Sequence, residues 1–167
     1  MAATWGLFLA WAVHDAEELL TMGGWVDRAR PRLNARFPRV PDRVWDRLRV
    51  NPAQARFAVG AMGAIVAAAA ARGARTGGRS RFYQATLAGF GLHSVTHIAQ
   101  AATLRGYTPG AATAPLVVAP FSVWAWRQLG RAGVRGPART AAVSAAALLP
   151  VATVACHALA RTLAPKR

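Results

Sequence analysis

The sequence predicts an all-α fold: a polytopic transmembrane helical bundle of about five spans, forming a single membrane-embedded domain over residues 1–167. Three observations predict it. Hydrophobic residues make up 54% of the chain and charged residues only 16%, well away from an average soluble composition. The stretches Phe82–Leu104, Tyr107–Trp126 and Thr140–Ala160 contain no Asp, Glu, Lys or Arg, and each is about as long as a bilayer-crossing helix. The 21 basic residues fall mainly between the apolar runs, where loops and membrane boundaries belong.

The elements follow in order. A first span over 4–24 is apolar at its start and carries acids at its centre. A second over 53–71 is short and alanine-rich, with Arg56 placed to snorkel at its end. The third covers 82–104. The fourth, over 108–127, has Thr108 placed as N-cap and Pro109 at the first helical position. The fifth covers 140–160. Between the first two lies a basic interfacial loop, 25–52, in which Asp27 to Val50 includes eight arginines. Val40, Val44, Trp45 and Leu48, at helical spacing after Pro41, predict a short amphipathic helix on a membrane surface of anionic lipid.

Other classes fit less well. Apolar runs this long exceed a buried helix of a soluble bundle. The N-terminal residues lack a basic start and a small-residue cleavage site, so the first span reads as retained rather than as a signal peptide. A net charge of +15 invites a nucleic-acid reading, but no basic face interleaved with aromatics is present, and no nucleic-acid partner is expected. One cysteine, Cys156, excludes an intramolecular disulfide and reads as a small packing residue. Basic residues are more numerous on the side of the 25–56 loop, which favours an N-terminus outside the membrane.

The informative residues are those that burial penalises. Three of the six acids, Asp15, Glu17 and Glu18, lie within four positions of His14 in the middle of the first span. A charge at the centre of a spanning helix is unfavourable by about 2.5–3.5 kcal/mol on insertion scales, so such residues face the bundle interior and have a partner there. At about 100° per residue, His14, Glu17 and Glu18 share one helix face, with Asp15 at its edge. In the third span His93 and His97 are one turn apart, on a row that reads Ala85, Gly89, His93, His97, Ala101. Small residues at that spacing mark a face of close helix approach, so both imidazoles should point inward. The first, third and fifth spans run the same way. His14 and His93 then sit at similar depth, while Glu18, His97 and His157 are displaced toward one membrane side.

His14-Asp15-Ala16-Glu17-Glu18, a further histidine at His97 (or His93), and Tyr107-Thr108-Pro109-Gly110 together resemble the bacterial membrane-protein family named for its HXXEE motif, which also carries a Y-x-P-G motif. The motifs span residues 14 to 110. The resemblance implies an integral location in the bacterial inner membrane and a site at His14, Glu17, Glu18 and His97. It implies no reaction, because the family is functionally uncharacterised.

The residue types themselves suggest a divalent metal, Zn or Fe, held by His14, Glu17, Glu18, His97 and His93, since carboxylates neutralise the cation and imidazoles suit those ions. With Glu17, Glu18, His14 and Tyr107 in catalytic roles, such a centre would serve a membrane enzyme. Its substrate would be small and lipophilic or isoprenoid-like, reached from the lipid and changed by hydrolysis, oxidation or acid–base cyclisation or isomerisation. A metal-free Glu/His acid–base enzyme uses the same residues. The alternatives are a non-catalytic membrane binding or assembly protein, and a small proton- or ion-coupled transporter. The free N–H groups at the start of the fourth span offer a place for an anionic substrate group.

Overall fold

Seven α-helices, and no strand, form among residues 2–163, the part of the chain that the computed structural model describes. They are α1 (Ala2–Thr21), α2 (Trp25–Arg36), α3 (Asp42–Arg47), α4 (Pro52–Arg75), α5 (Arg81–Thr103), α6 (Ala119–Arg131) and α7 (Ala138–Leu163). A π-helical turn, Ala114–Val118, leads into α6. Local chemistry sets several of these boundaries. The Asn51 side chain accepts from the backbone N–H groups of Ala53 and Gln54 with Pro52 in the first turn, and the Ser80 hydroxyl accepts from Tyr83 N–H. Pro120 has no N–H to give Leu116, and the Ala119 N–H bonds back five residues to the Ala114 carbonyl, which widens the turn there.

α1 packs on α4, α7 covers α4 and α5, and α6 lies against α1 and α5. The core between them includes Leu7, Trp11, Val66, Tyr83, Leu87, Phe90, Val118 and Leu129. Close approach depends on small residues. A Cβ at Gly63 would stand 2.6 Å from the Trp11 ring, so α1 and α4 meet there only because position 63 has no side chain. The small-residue row on α5 behaves as the sequence predicts: Ala85 and Gly89 are buried, and Gly89 faces Ala145 of α7. Cys156 is buried beside Ala58 and Ala160, as a packing residue.

Two corrections to the sequence reading concern the spans. Among the described residues only α4 and α7 are long and apolar enough to cross a membrane, so a count of about five is not supported. In α1 the acids at 15, 17 and 18 lower the hydropathy, in α5 Gln84, His93, Ser94, Thr96, His97 and Gln100 do so, and α6 has only 13 residues. The fourth helix also begins later than expected. Thr108 and Pro109 precede it in a turn, and Thr108 caps nothing: its buried hydroxyl has no hydrogen-bond partner among the described residues.

The basic segment 25–52 is more ordered than an interfacial loop. α2 and α3 fold on each other around Val26, Ala29, Leu33 and Trp45. Arg30 bridges Asp42 (3.1 Å) and Asp46 (2.6 Å), and Arg49 pairs with Asp27 (2.6 Å). Exposed pairs of this kind contribute roughly 0–1 kcal/mol each, so the apolar contact carries most of the stability. The expected helix after Pro41 is present as α3, but Trp45 is spent on α2 and only Val44 and Leu48 of its apolar side remain exposed. This helical pair leans on the turn before the π-helix: the Trp25 indole N–H (2.9 Å) and Arg32 (3.2 Å) both donate to the Tyr107 carbonyl.

Candidate metal centre

The C-terminal half of α1 carries His14, Glu17 and Glu18, and the corresponding part of α5 carries His93 and His97. Helical spacing puts each set on one face, and the α1–α5 arrangement turns the two faces together. The ring centroids of His14 and His97 are 4.9 Å apart, those of His14 and His93 5.3 Å, and those of His93 and His97 4.3 Å. Glu18 Oε1 lies 3.3 Å from His97 Nε2. One ligand atom from each of His14, Glu18, His93 and His97 falls within 4.8 Å of the others, a set compact enough to hold one metal ion.

The hydrogen bonds around the imidazoles decide which nitrogens are free. His97 Nδ1 lies 2.9 Å from the Pro109 carbonyl, which can only accept, so Nδ1 carries a proton and Nε2 presents a lone pair. That lone pair meets His93 Nε2 at 2.8 Å. Thr113 donates both its backbone N–H (2.7 Å) and its hydroxyl (2.5 Å) to Glu17 Oε2. Its hydroxyl oxygen is then the acceptor for His14 Nδ1–H at 2.7 Å. His14 is fully buried, and its remaining nitrogen, Nε2, has no hydrogen-bond partner among the described residues. An orphaned buried acceptor is unfavourable by about 1–3 kcal/mol, which a cation at that position would relieve.

The turn of the Y-x-P-G motif closes the site. Gly110 has φ +81°, and a Cβ there would lie 2.7 Å from His97 and 2.8 Å from His14. Only glycine satisfies both the left-handed backbone and that proximity. Past this turn, Glu17 is held by Tyr107 Oη–H (2.6 Å), Ala112 N–H (3.1 Å) and Thr113.

The structure therefore brings His14, Glu18, His93 and His97 together, and turns Glu17 away from them toward the loop. Tyr107, 43% exposed, touches Glu17 and reaches His14 only through Glu17 and Thr113. Partial burial first, and then its bond to the Glu17 carboxylate, hold the Tyr107 phenol above its ordinary pKa. The backbone N–H groups that were expected to receive an anionic substrate group are occupied by Glu17 itself. His93, the weaker candidate for the further histidine, belongs to the cluster as fully as His97, whereas His157 does not. Thr113 and the Pro109 carbonyl escaped the sequence reading; the Y-x-P-G motif marked their neighbourhood, but no spacing rule pointed to either group.

Beside the centre lies a cavity of about 460 Å³ between α1, α4, α5 and α7. Its walls are apolar except for Asp15, Glu18, Thr86, His93, Thr153 and His157. Glu18 and His93 thus border both the cluster and the cavity, while His14 and His97 are tied to the loop.

A family model described as "Protein of unknown function with HXXEE motif" matches residues 5–125, and the chain belongs to that family. No curated protein and no solved structure matches the chain.

Proposed function

We propose that this member of the HXXEE family is a membrane-embedded metalloenzyme acting on a lipophilic, isoprenoid-like substrate. The observation that carries the proposal is His14 Nε2: buried, without a hydrogen-bond partner among the described residues, its tautomer fixed from the other side of the ring, and aimed where Glu18, His93 and His97 converge. Three imidazoles and one carboxylate match the donor preferences of Zn or Fe, and Glu18 would offset part of the charge of a buried divalent ion. Such an ion supplies Lewis acidity, an activated water, or oxygen chemistry.

The chain's own residues do the rest. Glu17 and Thr113 orient His14, and the Pro109 carbonyl orients His97, the kind of outer support that keeps a metal-binding imidazole basic and still. The proton between His93 and His97 occupies ground that a metal would take, so His93 would carry its proton on Nδ1 when one is bound. Glu18 and His93 face the cavity, which is where a substrate would meet the centre. The 3.3 Å contact between Glu18 and His97 also supports a metal-free reading, in which a carboxyl and an imidazole exchange a proton to isomerise or cyclise an alkene.

Membrane embedding is supported by the apolar length of α4 and α7 and by large hydrophobic side chains left exposed around the bundle, among them Leu9, Val95, Leu116, Val151 and Val154. The basic α2–α3 pair would face the cytoplasm of a bacterial cell and its anionic lipid, with the N-terminus outside. Elemental analysis of purified protein tests the centre. One equivalent of metal in the wild type, lost in both His14→Ala and Glu18→Ala, is expected. Metal-free wild type of unchanged thermal stability on adding Zn or Fe would reject the metal and leave the acid–base reading.

A further inference from the structure

We infer that the cavity between α1, α4, α5 and α7 is the binding site for a single-chain lipophile whose polar end donates a hydrogen bond and carries no negative charge, with Asp15 as the acceptor. The inference rests on the proposed enzymatic reading only in naming this ligand as the substrate.

The cavity's chemistry is one-sided. Trp11, Met62, Ile65, Phe82 and Leu149 give it an apolar body suited to a hydrocarbon chain. None of its lining residues is Lys or Arg, so no fixed cation is available to a carboxylate or phosphate head. What it offers instead are two carboxyl side chains, Asp15 and Glu18, with His93 and His157 nearby. Glu18 is committed to His97 and the cluster. Asp15 is not: it is 93% buried, lines the cavity, and makes no hydrogen bond or ion pair to any described residue. A carboxyl group desolvated in this way calls for a donor, and the cavity is where one can come from.

Position adds a second argument. Asp15 is three residues before Glu18 on α1, so it stands about one helical turn, roughly 4.5 Å of rise, from the cluster's carboxylate. A hydroxyl or ammonium group bound to Asp15 would therefore place the polar end of the molecule nearest Glu18 and His93. The remainder would run toward Phe82 and Ala145, at the end of the cavity remote from the loop. The arrangement fixes which end of the molecule is presented to the centre.

Binding of dodecanol, dodecylamine and dodecanoic acid to the full chain in nanodiscs, followed by native mass spectrometry, tests this. Wild type should bind the alcohol or the amine at least about tenfold more tightly than the acid, the discrimination expected from one buried hydrogen bond. Asp15→Leu should erase that preference, and Asp15→Asn, which keeps an acceptor oxygen, should retain binding of the alcohol. Ala152→Phe, which fills the cavity from α7, should abolish binding of all three while leaving the metal content unchanged. Equal affinity for the acid, or binding undisturbed by Ala152→Phe, overturns the inference, and the wild-type comparison holds even if a variant does not fold. Lipophile binding that persists in metal-free His14→Ala would separate this site from the metal proposal, so either can fail without the other.

Discussion

Replacing Gly110 by alanine probes the join between the Y-x-P-G turn and the histidines. The residue sits at φ +81°, where an L side chain is strained by about 1–2 kcal/mol. Its new methyl group would also lie 2.7 Å from His97 and 2.8 Å from His14, both packed rings that must move, and overpacking of that kind adds about 1–3 kcal/mol. The expected loss is therefore about 2–5 kcal/mol of stability. Gly133 is the control: its φ is +66° but nothing lies within 4 Å of a Cβ there, so Gly133→Ala should show only the backbone part. Denaturant unfolding of the two variants in detergent gives the difference. Metal titration tests the same join at the proposed centre, where displacing His97 from the Pro109 carbonyl should weaken binding about 10–100-fold. A Gly110→Ala protein no less stable than Gly133→Ala, with wild-type metal affinity, would refute the claim that this turn braces the imidazoles.

Other expectations follow from the same geometry. Thr113→Val removes the hydroxyl that links Glu17 to His14, and metal affinity should fall about 10–100-fold with the helical content intact; an unchanged affinity would show that His14 needs no such support. Tyr107 is bound more firmly in its protonated form when folded, so the stability it contributes is fully present below the ordinary phenol pKa of about 10 and fades as pH rises past its raised folded value. Wild type should therefore lose stability relative to Tyr107→Phe in that alkaline window, and parallel curves would discount the contact. Alkaline carbonate washing of cell membranes should leave the chain in the pellet; its release into the wash would argue against α4 and α7 crossing the bilayer.

The sequence exposed most of the helical framework, because long apolar runs and caps act locally. α4, α5 and α7 lie within a few residues of the spans expected at 53–71, 82–104 and 140–160. Four helices have 20 residues or more, but among the described residues only α4 and α7 are apolar enough to cross a membrane, since the polar residues that build the site lower the hydropathy of α1 and α5. α2 was hidden: Pro31 and the arginines at 28, 30, 32 and 36 mask a periodicity that becomes visible only when Leu33 and Ala29 meet Trp45. Trp45 itself was read as a membrane-facing residue because its helix was considered without α2.

The candidate site divides along the same line. His14 with Glu18, and His93 with His97, were legible as sets, since positions one turn apart on one helix must share a face. Which of two adjacent glutamates enters the cluster was not. Glu17 and Glu18 differ by about 100° on α1, and the choice between them is made by Tyr107, Ala112 and Thr113, which lie 90 to 96 residues from Glu17 in the chain. The same distant turn fixes the tautomers of His14 and His97 and forces a glycine at 110. Residue spacing thus determined the ingredients and their faces by itself. Tertiary structure alone decided which carboxylate turns inward and which nitrogen stays free, because hydrogen bonds to a loop depend on where the whole fold carries that loop.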